Sequence, residues 1–175
     1  RDAIELTHRP LERAKVEAAK FRSSPAPEIT TTGHSLGGTL AQITAHRFHL
    51  RGETFNAYCA ASLSLGIQPR YHTVLNHVMG GDTVSAGSPH FGQVRIYASE
   101  KEVRILNAPL VGYSNDERNF TNPRAPGGAA ARMLDSHSVS NFLNEDQHRK
   151  RVPSVLDDPQ AQQRARQYGP KFEKY

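Results

Sequence analysis

One cysteine, Cys59, is the only thiol in the chain. A disulfide within the chain is therefore excluded, and so is a metal site built on several cysteines. Cys59 sits in Phe55-Asn56-Ala57-Tyr58-Cys59-Ala60, where it reads as a small buried apolar residue. Long hydrophobic runs are also missing. No stretch approaches the roughly 20 apolar residues that a membrane-spanning helix needs. Neither a methionine nor a charged-then-apolar leader opens the chain at Arg1, so no signal peptide is visible and the source compartment stays open.

What is present is an ordinary globular balance, 37% hydrophobic and 22% charged residues, which argues against disorder. The 175 residues suit one domain with a single buried core. Positive charge dominates, at net +5. A basic surface attracts anionic membranes, nucleic acid or an acidic protein partner. No nucleic-acid motif accompanies the charges, several of which cluster near the end at His148-Arg149-Lys150-Arg151 and Arg164-Ala165-Arg166, so a nucleic-acid partner is not expected.

Leu11, Ala14, Ala18 and Phe21 recur at steps of three and four, the face of an amphipathic helix begun by Pro10. Glu28 to Thr32 reads as a strand, Gly33 to Gly38 as a tight turn, and Thr39 to Leu50 as a second helix closed by Gly52. Further strands are expected at Thr54 to Ala61 and Thr73 to Met79. Gln93 to Ala98 and Glu102 to Leu106 read as a strand pair across a turn at Ser99-Glu100-Lys101. Helices alternating with short strands predict an α/β fold, a mostly parallel sheet flanked by helices. Gly112 to Arg132 reads as a long loop, with the length of a lid or substrate-facing segment. Residues 1–144 are expected to form the core, and 145–175 a charged peripheral extension with an exposed helix around Pro159 to Tyr168.

The strongest signal is Gly33-His34-Ser35-Leu36-Gly37-Gly38, a G-x-S-x-G pattern between a strand-like and a helix-like run. Such a turn lifts a serine hydroxyl above a sheet edge in a strained conformation. Side chains two before and two after it are expected to collide, which glycine at Gly33 and Gly37 avoids. The Leu36 backbone N–H, at the start of the helix, is placed to stabilise a developing oxyanion. With no lysine, the turn does not fit a phosphate-binding loop.

The run Thr31-Thr32-Gly33-His34-Ser35-Leu36-Gly37-Gly38-Thr39-Leu40-Ala41 resembles the nucleophile elbow of the class 3 lipase family, on the α/β-hydrolase fold. Phe55-Asn56-Ala57-Tyr58 is similar to the family's next strand. Asn76-His77-Val78 with Gly81-Asp82-Thr83-Val84 is similar to its strand-then-acid segment, and Asp135-Ser136-His137-Ser138-Val139 to its histidine segment. The resemblance implies a serine hydrolase of lipid esters, triacylglycerol or phospholipid, needing no cofactor. Bacterial lipase-type effectors, which are secreted, share such cores, and the basic tail suits one.

A serine hydroxyl needs a histidine to take its proton and a carboxylate to orient that histidine, in chain order Ser, acid, His for this fold. Asp82, at the end of an apolar strand-like run, is the first candidate acid, with Asp116 in the long loop as runner-up. His137, between a loop and the apolar run Val139 to Leu143, is the first candidate base. His148 competes from the basic cluster. His46 and His49 lie three apart on a helix but have no Glu or Cys at ligand spacing, and no metal is assigned. The family takes its second oxyanion N–H from a loop after an early strand, and the strands that would carry it are expected to be absent here. Two other readings stay open: a non-catalytic binding module that contacts a protein partner or inhibitor, and a hydrolase of thioesters or peptides.

Overall fold

The computed structural model of the chain describes residues 2–20, 27–58, 60–63, 65–67, 73–87, 89–107, 134–145, 148 and 150–167. Cys59, Asp116 and the segment Gly112 to Arg132, expected to be a loop, lie outside the described residues. Four strands, β1 (Thr30–His34), β2 (Arg51–Phe55), β3 (Val74–Met79) and β4 (Gln93–Tyr97), form one sheet in the order β1-β2-β3-β4. All three pairings are parallel, as the alternation of helices and strands predicts. Helix α1 (Asp2–Lys20) precedes β1, α2 (Leu36–Phe48) joins β1 to β2, α3 (Glu100–Asn107) follows β4, and α4 (Ala161–Gln167) closes the described chain.

Helix α1 starts earlier than its periodicity predicts, and Pro10 lies inside it. The ring removes the bond to the Leu6 carbonyl, on an exposed side of the helix where water is available. The stripe Ala3, Thr7, Leu11, Ala14 and Ala18 is half-buried, so the expected face turns inward at Leu11, Ala14 and Ala18, while Phe21 lies outside the described residues. Helix α2 ends on His49, which takes the left-handed conformation and donates its N–H to Ala45 O. Gly52 is therefore not the cap. It sits in β2 opposite Thr31, where a Cβ would come within 2.4 Å of the Thr31 carbonyl oxygen.

The segment Glu102 to Leu106 is helix, not strand. Its alternation is short enough to fit either period, and the local signal that decides is Ser99-x-x-Glu102. Glu102 N donates to Ser99 Oγ at 3.2 Å and Ser99 N donates to Glu102 Oε2 at 2.7 Å, a reciprocal capping box. The helix expected near Pro159 to Tyr168 is α4, but it is not exposed. Ala161 and Ala165 are buried, Ala98 N donates to Ala161 O, and Arg164 Nε donates to Ala98 O, which fastens α4 to the end of β4.

Successive residues of β3 point to opposite faces. Val74 joins Ala45, Ala60, Ile67 and Phe91 in one apolar cluster, and Met79 joins Tyr97, Phe142, Val155 and Ala161 in the other. Between sheet and α2 lies a buried polar knot. Asn76 Oδ1 accepts from Gln42 Nε2 at 3.0 Å and Thr54 Oγ1 at 2.6 Å, while its Nδ2 lies 3.0 Å from both Phe91 O and Gln93 O. Gln42 Oε1 accepts from Ala60 N and Phe91 N. These bonds tie α2 and three strands to the loop before β4. Asn76→Ala strands two donors and two carbonyls in the interior at about 1–3 kcal/mol each if none finds water, so a loss of about 3 kcal/mol or more is expected in urea denaturation.

Candidate active site

A parallel sheet brings the C-terminal ends of its strands to one edge, and the residues that follow those ends meet there. Ser35 follows β1 with φ 54° and ψ −126°, a conformation L-residues rarely adopt. Two backbone bonds hold it: Ser35 N donates to Phe55 O at 3.1 Å, and Thr39 N to Ser35 O at 3.2 Å. The serine side chain does not cap α2. Its Oγ lies instead 2.9 Å from His137 Nε2.

Only part of the expected steric reason for the glycines holds. A Cβ at Gly33 would fall 2.3 Å from Gly37 O, and one at Gly38 would fall 2.5 Å from Ala57 Cβ. A Cβ at Gly37 meets nothing within 4 Å. What the turn requires at Gly37 is its backbone, which passes where a Gly33 side chain would be.

Asp82 follows β3 and is 2% exposed. Oδ1 accepts from Val84 N at 3.1 Å and Oδ2 from Ser85 N at 3.2 Å, which fixes the carboxylate plane. Asp82 Oδ1 lies 3.0 Å from His137 Nδ1. The His137 side chain is 31% exposed, so one side of the imidazole is buried on the carboxylate while the rest reaches solvent. With Nδ1–H donated to Asp82, the neutral ring leaves Nε2 free to accept the Ser35 proton.

His137 ends a 3-10 turn, Leu134–His137, that has no sheet ladder to hold it. Side chains do so. Asn56, buried after β2 with φ 44°, donates Nδ2 to Ser136 O at 2.6 Å and accepts Met79 N on Oδ1 at 2.8 Å. His34 Nε2 donates to His137 O at 2.6 Å. Asn141 Nδ2 lies within hydrogen-bond distance of the carbonyls of Asp135, Ser136 and Ser138. Asn56 and Asn141 carry no motif in the sequence, because their partners lie at its distant points or in an irregular turn.

Ser35, Asp82 and His137, singled out from sequence, thus stand in one hydrogen-bonded row. His148 is exposed, and His46 packs its ring edge-on against Phe91. Among the described residues no group of three or more His, Cys, Asp or Glu is gathered as metal ligands, and no helix is long and apolar enough to cross a membrane.

Residues 6–79 match the class 3 lipase family. The class 3 lipase match runs from α1 through β3 and includes Ser35, while Asp82 and His137 lie beyond its end. It supports a lipase-type hydrolase, and the parallel sheet flanked by helices agrees with the α/β-hydrolase fold of class 3 lipases. No curated protein and no solved structure matches the chain.

Two predictions follow from the geometry. Gly33→Ala and Gly38→Ala are expected to lower the melting temperature by several degrees, about 1–3 kcal/mol of overpacking, while Gly37→Ala leaves it nearly unchanged. The second concerns His90, buried between Gln42 and the Asp82 loop. Burial pushes its imidazole down to about 4, against the upward pull of a Ser85 backbone bond and the Asp82 charge. The unfolded chain then binds the proton more readily than the folded one, so stability falls as pH drops from about 6.5 towards 4, with a slope up to about 1.4 kcal/mol per pH unit. His90→Gln removes that part of the slope. His77, also lowered by burial, retains its own share. Urea midpoints measured across this pH range test the difference.

Proposed function

We propose that the chain is a serine esterase that cleaves lipid carboxylic esters through an acyl-enzyme. The observation that carries this reading is the row Ser35 Oγ, His137 Nε2, His137 Nδ1, Asp82 Oδ1, with separations of 2.9 and 3.0 Å. Ser35 Oγ attacks the ester carbonyl as His137 Nε2 takes its proton. Asp82 stabilises the imidazolium that forms and keeps the correct tautomer. The tetrahedral oxyanion is stabilised by Leu36 N–H at the open start of α2. His137 then returns the proton to the leaving alcohol, and a water activated by the same imidazole hydrolyses the acyl-serine. The chemistry calls for no cofactor or metal.

The lipid class rests on the class 3 lipase match and on the setting of the serine. Leu36 and Leu40, one helical turn apart immediately after Ser35, are 69% and 44% exposed. Exposed apolar side chains beside a nucleophile suit an acyl chain or a lipid surface. The net charge of +5 favours an anionic surface, and hence a phospholipid, through peripheral contact.

Labelling by a fluorophosphonate probe and hydrolysis of short-chain and phospholipid esters test the reading. Both are expected in the chain and lost in Ser35→Ala. Asp82→Asn is expected to keep the fold and lower kcat by about 10⁴ through the wrong tautomer. An unlabelled chain without ester turnover rejects the esterase and favours a binding module on a hydrolase scaffold.

A further inference from the structure

Glu102 is a buried carboxylate that the proposed chemistry does not use. It is 3% exposed, and burial raises its pKa against the opposing pull of its hydrogen bonds to Ser136, Ser99 and Gly81. A capping box for α3 needs only the Oε2 bond to Ser99 N. The other oxygen has different partners. Oε1 accepts from Gly81 N at 3.0 Å and from Ser136 Oγ at 2.6 Å. Gly81 is the residue before Asp82, and Ser136 the residue before His137. One carboxyl group therefore joins the loop that carries the acid, the turn that carries the imidazole, and the start of α3. A helix cap placed in solvent would spare the fold the cost of burying this charge.

We propose that Glu102 is a positioning residue for the triad, setting the Asp82 loop and the His137 turn relative to each other through Gly81 N and Ser136 Oγ. The inference rests on the esterase reading for its catalytic consequence, though the clamp itself is defined without it. Asp82 and His137 come from segments 55 residues apart and share no ladder, so their 3.0 Å contact requires a common anchor. Other ionisable groups at the turn are His34, bonded to His137 O, and the ion pair of Lys101 with Asp135, which ties α3 to the same turn at the surface.

Ser136→Ala separates the clamp from the cap, because it removes one Oε1 partner and leaves the Ser99–Glu102 box and the charge intact. Glu102→Gln keeps the shape and removes the charge. Both variants are expected to lower kcat per fluorophosphonate-titrated site by about 10- to 100-fold with KM little changed, since an ångström of misplacement costs on that order. A lengthened contact with Asp82 stabilises the imidazolium less. The acid limb of kcat/KM, and the His137 pKa followed by NMR, are then expected to fall by about half a pH unit or more, further in Glu102→Gln than in Ser136→Ala. If Glu102 serves only as a helix cap, Glu102→Gln lowers the melting temperature while Ser136→Ala keeps wild-type kcat and His137 pKa, and the proposal is overturned. Should the wild-type chain neither label nor turn over esters, the esterase reading fails, and the His137 titration in the two variants still decides the clamp.

Discussion

The turn Leu134–His137 must return across about a hundred residues to place one ring nitrogen beside Ser35, with no strand pairing to guide it. Its position depends on hydrogen bonds from side chains anchored at the sheet's edge. Asn56 holds Ser136 O, His34 holds His137 O, and Glu102 holds Ser136 Oγ. Each anchor is rooted in a different part of the sheet: the end of β1, the residue after β2, and the helix after β4. A turn fixed from three directions can translate little along any of them. Rigidity of that kind is what a proton transfer over one hydrogen bond demands.

These anchors exist because the sheet is parallel. Strands that all run one way end on one side, so Ser35, Asn56, the Gly81-Asp82 pair and the Ser99–Glu102 cap are delivered together by the register alone. An antiparallel neighbour would send every second loop to the opposite edge. The cost is a run of buried polar groups at that edge, each needing its partner. Asp82 uses backbone N–H groups of its own loop, and Asn56 spends both ends of its amide, one on β3 and one on the histidine turn. The Asn76 knot does the same beneath α2, where two apolar surfaces alone would leave the helix free to slide.

What was legible in the sequence divides along the range of the interaction. The elbow is local: β1, Ser35 and α2 are contiguous, with Gly33 already in the strand and Gly37 and Gly38 already in the helix, and the glycine spacing carries a steric meaning at Gly33, whose Cβ has no room. The family match to residues 6–79 covers the elbow for the same reason. Asp82 and His137 were legible only in outline, from a strand end and a loop entering an apolar run. The segment Phe55-Asn56-Ala57-Tyr58 was legible as a strand by resemblance, but nothing in it announces that Asn56 has a partner 80 residues away. The segment after β4 shows the opposite error. Apolar alternation over five residues suggested a strand, while the Ser-x-x-Glu spacing that announces a helix start was present in the same residues. Capping chemistry outranks a short periodicity because it satisfies backbone donors that no strand would leave open.

Strain and restraint are complementary at this edge. Ser35 occupies a positive-φ conformation that an L-residue does not favour, and two backbone bonds hold it there. Asn56, the next residue along the edge, also has positive φ, and asparagine tolerates it better than most side chains. Both positions follow a strand directly, and the side chains of both bond the histidine turn, Ser35 Oγ at His137 Nε2 and Asn56 Nδ2 at Ser136 O. The sheet supplies the stiffness against which that strain is kept, and Asn56 in turn bonds the carbonyl of Ser136 in the irregular histidine turn. On the proposed esterase reading the two sides depend on each other, because an elevated serine needs a fixed imidazole and the imidazole's turn is held by side chains rooted around that elevation.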